Sequence, residues 1–162
     1  MNKTYLSLIV GIAVALCSFS ANAVDFTTET LYSYQRATHS SVVGAEVSAS
    51  QDLKKDFLGQ TSVSYSQAYG RDVTRDANLG ISSLALRQNV DKLTVWGFKP
   101  YVAAETSLVY GEKRNVNWSF SPVVGESFSY KNWQLFASVG YDFSALNRGD
   151  AVTARFGVNL KF

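Results

Sequence analysis

The sequence predicts an all-β protein, an eight-stranded antiparallel up-and-down barrel that spans a membrane. Three observations support this prediction. Apolar and polar residues alternate with a period of two along most of the chain. The alternating segments are about ten residues long, the length that a tilted strand needs to cross a bilayer. Aromatic residues gather near both ends of these segments.

The alternation is clearest at the C-terminus. One face carries Val152, Ala154, Phe156, Val158, Leu160 and Phe162, and the other carries Thr153, Arg155, Gly157, Asn159 and Lys161. Successive side chains of a strand point to opposite faces, so this segment is expected to separate an apolar from a polar medium. Segments 133–143, 102–110 and 43–50 repeat the pattern.

Taken in order, the alternating segments predict strands at 27–37, 42–51, 57–69, 77–88, 96–111, 116–130, 133–143 and 151–162. Two of these strands fit the pattern poorly. In 77–88 the apolar residues change face, which predicts a bulge near Ser82. In 116–130, Pro122 cannot donate a ladder hydrogen bond and Glu126 shares the apparent lipid face, so a second bulge is expected there.

The connections between strands divide into two sets. One set is 52–55, 89–93 and 131–132, and the other is 38–41, 70–76, 112–115 and 144–150. If Phe162 ends the last strand on the periplasmic side, the second set faces outward and is expected to contain the longer loops, as in transmembrane barrels.

Aromatic residues follow the same division. Near the outer ends lie Tyr65, Tyr69, Tyr110, Trp118, Tyr141 and Phe143, and near the inner ends lie Phe57, Trp96, Phe98, Tyr130, Trp133 and Phe162. Two aromatic girdles are expected where amphipathic rings meet two membrane interfaces.

Residues 1–23 predict a cleaved secretory signal peptide, and 24–162 the barrel domain. Lys3 supplies a positive charge, an apolar run follows, and Ala21 and Ala23 offer a cleavage site. The run is shorter than the ~20 residues of a membrane-spanning helix. Cys17 is the single cysteine, so the processed chain is expected to contain neither disulfides nor thiolate metal sites.

Composition excludes several classes of protein. With 46% hydrophobic and 17% charged residues the chain is not disordered. A net charge of +2 without a basic patch gives no indication of nucleic-acid binding. One histidine and no cysteine after processing argue against a metal site, and no glycine-rich phosphate loop is present, so no cofactor is expected.

The last eight residues, 155–162, have the sequence RFGVNLKF. They resemble the C-terminal assembly signal of small eight-stranded outer-membrane barrels, the class of the OmpA membrane domain and OmpX. The residues that match are Arg155, Gly157, Leu160 and Phe162. The resemblance implies recognition by the barrel-assembly machinery of a Gram-negative bacterium, a place in its outer membrane and contact with the lipids there.

The polar face of the strands then points into the barrel. The charged residues predicted in the lumen are Glu46, Glu105, Asp142, Arg155 and Lys161. Eight strands leave an interior just wide enough for side chains to fill, and buried charges must pair. The sequence therefore predicts a packed polar core in which the two cations neutralise the acids. A narrow porin-like channel remains the alternative.

Five cations fall on the predicted outer loops: Arg71, Arg75, Lys113, Arg114 and Arg148. They are expected to contact lipopolysaccharide, whose phosphates are anionic. An external partner is also compatible with these loops, and the sequence does not identify one.

Two further alternatives remain open. His39 precedes two serines, and Asp72 and Asp76 lie in the next outer loop, as in a lipid A-modifying acyl-transfer enzyme. A soluble lipocalin-like barrel would exchange the two faces, although aromatic residues at both strand ends argue against it. The function predicted is that of a monomeric, non-enzymatic outer-membrane barrel with a structural or surface-interaction role.

Overall fold

The computed structural model describes residues 24–35, 39–111, 114–131, 133–144 and 150–160. Only the backbone is described for some of these residues, namely 24–26, 35, 40, 114–115, 144 and 159–160. The predicted signal peptide, 1–23, lies outside the described residues, and so do Lys161 and Phe162.

Eight antiparallel strands form a closed barrel. They are β1 (Val24–Gln35), β2 (Ser40–Lys55), β3 (Gln60–Asp72), β4 (Ala77–Asn89), β5 (Phe98–Gly111), β6 (Arg114–Tyr130), β7 (Trp133–Ser144) and β8 (Ala151–Leu160). Each strand pairs with its neighbours in sequence, and β1 pairs with β8 to close the sheet. The predicted fold class is confirmed. Within the described segments, no helix has the length and hydropathy to cross a membrane.

Alternating exposure separates the two faces of the sheet. On β8, Val152 and Phe156 are 45% and 57% exposed, whereas Thr153 between them is 3% exposed. Strands β2, β5 and β7 show the same alternation. Since the sheet is closed, the exposed residues face outward and the buried ones face the lumen, as the sequence predicts.

The barrel has two rims. The inner rim is the end where β1 begins and β8 ends, and the outer rim is the opposite end. The prediction that the outer rim has the longer connections is wrong, because the longest one, 90–97, lies at the inner rim. It has internal structure: a 3-10 helix at Asp91–Leu93 and a turn closed by two hydrogen bonds between Val95 and Phe98.

The bulge predicted near Ser82 is wrong. Strand β4 keeps an unbroken register with both of its neighbours. Leu79, which is 4% exposed, points into the lumen, whereas Leu84 and Leu86 are each 52% exposed and point outward. The apolar residues change face because the outer half of the lumen is itself apolar near this strand.

The bulge predicted in 116–130 is also wrong. The pairs of β6 with β7 have the same offset on both sides of Pro122, so no extra residue is inserted. The ladder lacks only the pairs of Ser121 and Pro122, and Glu126 stays on the outward face. Register shifts occur instead on β2 after Asp52 and on β5 after Val109.

Candidate functional site: the lumen and the two rims

Arg155 lies at the centre of the lumen between two carboxylates. Its Nε donates to Oε2 of Glu46 at 3.1 Å, and its Nη2 donates to Oε1 of Glu105 at 2.6 Å. The three side chains are 9%, 6% and 7% exposed. One guanidinium thus bridges β8, β2 and β5 across the barrel, with the close hydrogen bonding that buried charges require. Three of the five predicted lumen residues come together here.

Hydroxyl groups extend this cluster. The Ser107 Oγ donates to the Glu105 carboxylate at 2.9 Å and lies 2.9 Å from the Ser83 Oγ. Both serines are almost completely buried. These hydroxyls satisfy part of the hydrogen-bonding capacity that the buried carboxylate retains beside Arg155.

Glu29 is a further carboxylate of this region, and the sequence analysis missed it. It lies opposite Glu46 in the β1–β2 register and opposite Gly157 in the β1–β8 register. Polar residues occupy both faces of β1, so alternation did not assign an inward face, and only the strand register would have located Glu29. Among the described residues, no three His, Cys, Asp or Glu side chains group to hold a metal ion.

Asp142 belongs to a different part of the lumen. Its carboxylate accepts hydrogen bonds from the hydroxyls of Ser121 and Thr153. The predicted neutralising cation, Lys161, lies outside the described residues. Its pairing with the lumen acids therefore stays a prediction.

A polar cavity of about 290 Å³ extends from the Arg155 cluster to the inner rim. Glu29, Glu46 and Arg155 lie at its deep end, and Asp52 and Lys99 lie near its mouth. Serine side chains of β2 and β3 line much of the wall between them. The inner half of the lumen is therefore a hydrophilic vestibule.

The outer half of the lumen is filled on the side of β1–β4. The side chains that fill it are Leu31, Val42, Ala68, Ala77 and Leu79, which are 1–8% exposed. Close apolar packing leaves little room for water above the Arg155 cluster on this side. On the opposite side, buried Ser119, Ser121 and Thr153, which are 8%, 0% and 3% exposed, continue this layer of side chains between the vestibule and the outer rim.

Arg87 is a second cation of the lumen that sequence reasoning missed. Its guanidinium carbon lies 3.6 Å from the centre of the Tyr101 ring, and it donates to Asn89 and Ser127 at 3.0 and 3.2 Å. The change of face in β4 left its orientation unassigned. With the register known, Arg87 is on the same face as Leu79, facing inward.

At the outer rim, Asp72 organises the loop between β3 and β4. This side chain is fully buried, and its Oδ1 accepts hydrogen bonds from the backbone N–H groups of Thr74 and Arg75, both at 3.1 Å. The Thr74 hydroxyl in turn donates to the His39 carbonyl oxygen at 3.2 Å. Asp72 therefore holds the two neighbouring outer loops in a fixed arrangement.

The predicted lipopolysaccharide contacts are only partly described. Arg71 forms an ion pair with Asp76, and Arg75 lies 3.5 Å from Asp72. Lys113 and Arg148 lie outside the described residues, and Arg114 is described by its backbone alone. The two predicted cations whose side chains are described, Arg71 and Arg75, therefore lie at the outer rim, each beside a carboxylate.

His39 lies in the first outer loop with a positive φ of 49°. Its Nδ1 is 3.0 Å from the hydroxyl oxygen of Tyr34. Asp72 holds the backbone of its own loop, and Asp76 contacts Arg71. The acyl-transfer constellation around His39 stays a prediction.

Two residues of the predicted assembly signal have a described place in the barrel. Arg155 and Gly157 both face the lumen on β8. A Cβ at Gly157 would lie 2.7 Å from the Thr28 carbonyl oxygen and would meet the Phe136 ring. Leu160 is described by its backbone alone, and Phe162 lies outside the described residues.

Exposed aromatic side chains form a row near each rim, as predicted, although the predicted Tyr65 and Tyr110 are only partly exposed and Phe162 lies outside the described residues. The outer row contains Tyr32, Tyr69, Trp118, Tyr141 and Phe143, and the inner row contains Phe57, Trp96, Phe98, Tyr130 and Trp133. Their exposed fractions run from 42% to 91%. Between the rows the outward face is mainly aliphatic, which is typical of a lipid-facing belt.

Comparison with known proteins finds the same architecture. No protein-family model and no curated protein matches the sequence. Neisserial surface protein A matches with a TM-score of 0.66 and 15% identity, over 86% of this chain and 96% of that one. The N-terminal barrel of Pseudomonas aeruginosa OprF matches with a TM-score of 0.60 and 17% identity, over 88% of this chain and 100% of that one. Yersinia pestis Ail matches with a TM-score of 0.53 and 13% identity, over 85% of this chain and 99% of that one. The chain therefore has the fold of the small eight-stranded outer-membrane barrels.

Proposed function

We propose that the protein is a small integral barrel of a Gram-negative outer membrane with a structural or surface-interaction role. The outward apolar belt carries this proposal. Val47 and Val124, for example, are 57% and 61% exposed, and an apolar surface that encircles a protein is stable only in a non-aqueous environment. The same belt argues against a lipocalin-like barrel, in which these side chains would surround a ligand.

In this proposal the lumen serves as a polar core that is open as a vestibule at the inner rim and cross-linked at its centre. Arg155 cross-links three strands through buried, hydrogen-bonded pairs, and apolar side chains close the outer half beside it. Such an interior supports the barrel and conducts poorly, so a structural core accounts for the lumen better than a porin-like channel does.

The outer rim is the surface available to lipopolysaccharide or an external partner. Asp72 and Thr74 hold two of its loops together, and Arg71 and Arg75 add cations there. A preformed rim of this kind suits recognition, because loops that are already ordered lose little conformational entropy on binding. The protein is proposed to act as a monomer, without a cofactor and without catalysis, after export and insertion by the barrel-assembly machinery.

Gel mobility of boiled and unboiled protein from outer-membrane fractions tests this function. A folded barrel is expected to resist detergent and to shift in mobility on boiling. Phe156→Asp should reduce the folded band, because Phe156 is 57% exposed on the lipid-facing side. Val73→Asp is the control, because Val73 is 63% exposed in an outer loop and meets water. A soluble periplasmic protein with no mobility shift would refute the proposal.

A further inference from the structure

Two opposite charges in the vestibule have no counter-ion in contact. Glu29 of β1 and Arg87 of β4 both line the cavity. Among the described residues neither of them forms an ion pair, although they attract each other electrostatically across the cavity. Arg155, the other guanidinium of this region, is engaged with Glu46 and Glu105. Charges inside a protein are normally paired, so an unpaired anion and an unpaired cation around one cavity point to a ligand that contacts both.

Arg87 is held in place while part of its guanidinium stays available. Its Nε donates to the Asn89 Oδ1 at 3.0 Å, its Nη2 donates to the Ser127 Oγ at 3.2 Å, and its guanidinium carbon lies 3.6 Å from the centre of the Tyr101 ring. These contacts use two of the five N–H groups of a guanidinium. The other three, including both on Nη1, have no acceptor in the part of the chain that the structure describes. They are sufficient for a two-point contact with a carboxylate, and the fixed side chain would lose little entropy in making it.

The Glu29 carboxylate is available for a cation. No side chain or backbone group of the described segments donates a hydrogen bond to it. Gly157, its neighbour on β8, leaves the space that the side chain occupies, because a Cβ there would lie 2.7 Å from the Glu29 Cγ. Glu46 lies directly opposite on β2, and like charges in that position repel. An ammonium group beside Glu29 would relieve this repulsion and supply the missing hydrogen-bond donors.

The cavity between the two groups suits a small polar molecule. Its volume of about 290 Å³ has room for several water molecules, and therefore for a ligand of several non-hydrogen atoms. Serine side chains of β2 and β3 line it, namely Ser48, Ser50, Ser62, Ser64 and Ser66. Their hydroxyls both donate and accept hydrogen bonds, so they accommodate a hydrophilic ligand of either charge pattern. The charges of Glu29 and Arg87 therefore decide which ligand is preferred.

We propose that the vestibule binds a small zwitterion of the amino acid type. The ligand carboxylate accepts hydrogen bonds from the guanidinium of Arg87, and the ligand ammonium donates to the carboxylate of Glu29. A zwitterion has no net charge, so it pairs both groups without adding charge to the lumen. It enters through the inner rim, because buried side chains fill the outer half of the lumen. The site requires only the folded barrel, and the proposed outer-membrane location adds that the ligand comes from the periplasm.

Two variants and two controls test the site. Glu29→Gln removes the negative charge at constant size, and because it also relieves the repulsion from Glu46 it should fold. Arg87→Met removes the positive charge. The controls are Glu126→Gln, which makes the same chemical change on the outward face of β6, and Lys99→Met, which removes a cation near the cavity mouth.

The barrels are purified in a nonionic detergent, which adds no competing charge, and binding is measured by ligand-observed NMR titration. The probes are three zwitterions whose charges are increasingly far apart: glycine, γ-aminobutyrate and ε-aminocaproate. Butylammonium and butanoate, which carry one charge each, are the comparison compounds. The boiling-dependent gel shift first shows that each variant is folded.

We expect at least one zwitterion to bind wild type about tenfold more tightly than either single-charge compound, because each of those lacks one charge-assisted hydrogen bond. Glu29→Gln should lower the affinity for that zwitterion about tenfold without weakening butanoate. Arg87→Met should lower it similarly without weakening butylammonium, and both controls should match wild type. The site is overturned if no zwitterion binds better than the single-charge compounds, or if Glu29→Gln binds like wild type. Neither result would affect the proposed outer-membrane location, which membrane fractionation and the gel shift measure independently.

Discussion

Among the described residues, Arg155 is the cation that pairs with the two buried carboxylates Glu46 and Glu105. Glu46 and Glu105 are both less than 8% exposed, and the guanidinium contacts each of them directly. Taking one member out of a buried charge network leaves the others desolvated and unpaired. Removal of the Arg155 side chain is therefore expected to destabilise the barrel strongly.

We predict that Arg155→Met lowers the free energy of unfolding by about 3–5 kcal/mol, the cost of breaking a buried ion pair. Urea titration of the folded, boiling-sensitive gel band in detergent measures this change. Arg71→Met is the matched control, because Arg71 and Asp76 are 65% and 74% exposed and such pairs contribute at most about 1 kcal/mol. Equal losses in both variants would contradict a special role for Arg155.

Gly157 combines a place in the predicted assembly signal with a tight packing position. We predict that Gly157→Ala destabilises the barrel by about 1–3 kcal/mol, because the new methyl group would collide with Glu29, Thr28 and the Phe136 ring. Gly140→Ala should cost less, since its nearest neighbour is the Val123 Cγ2 at 3.1 Å.

Refolding from urea into detergent is the measurement, since no assembly machinery is present there. If Gly157→Ala refolds with wild-type stability in detergent but fails to assemble in cells, the glycine acts only as part of a signal. Loss of stability in both settings would support the packing role.

At the scale of whole strands, alternation predicted the faces of β2, β5, β7 and β8 because each separates lipid from a polar interior. Alternation led to a wrong prediction at β4, a bulge near Ser82, because the lumen changes from polar near Arg87 to apolar near Leu79. A change of medium inside the barrel has the same sequence signature as a bulge. Only the pairing register distinguishes the two, and register is set by neighbouring strands that one segment does not contain.

The inner connection 90–97 shows a related limit. Its tight turn places Trp96 at φ 52° and Gly97 at φ 86°, closed by hydrogen bonds of 2.9 and 3.1 Å between Val95 and Phe98. Trp96 is 91% exposed. Tryptophan is unfavourable at positive φ but favourable at a membrane interface. We therefore expect the gain from interfacial anchoring of Trp96 to exceed the cost of its backbone conformation.

We predict opposite effects of Trp96→Asn in two environments. In detergent the variant should be at least as stable as wild type, with a gain of up to about 1 kcal/mol, because asparagine tolerates positive φ. In lipid bilayers it should lose about 1 kcal/mol through the missing interfacial ring. Urea unfolding in both media measures the two values.

Lys131→Asn is the matched control, because Lys131 also has a positive φ, 53°, at the inner rim but no aromatic ring to lose. Lys131→Asn also loses the contact of its Nζ with the Tyr130 ring, 5.5 Å from the ring centre, so its stability should change by about the same amount in both media. A bilayer loss of the same size in Lys131→Asn would show that the effect does not come from the indole ring.

For the molecule as a whole, the sequence predicted closure into eight strands, the outward aromatic rows and part of the buried charge cluster. It did not predict Glu29 and Arg87 in the lumen. These features depend on which side chains meet across three or more strands. The resulting division of the lumen, a vestibule at the inner rim and a filled outer half, is a property of the closed barrel.

This division predicts access from one side only. Cys17 is the sole cysteine of the chain and lies in the predicted signal peptide, so single-cysteine variants can be labelled without background. Ser62→Cys lines the vestibule, Ala68→Cys lies in the filled half at 1% exposure, and Val73→Cys is exposed at the outer rim. A maleimide too large to enter the periplasm should label only Val73→Cys in intact cells.

In detergent, a small maleimide reaches both rims and should label Ser62→Cys and Val73→Cys but not Ala68→Cys. Folded wild type in a planar bilayer should correspondingly show no conductance. Labelling of Ser62→Cys from outside intact cells, together with conductance whose ion selectivity changes in Glu105→Gln, would mean that water crosses the whole barrel. The filled outer half would then act as a gate, and the lumen would have to be reinterpreted as a narrow channel.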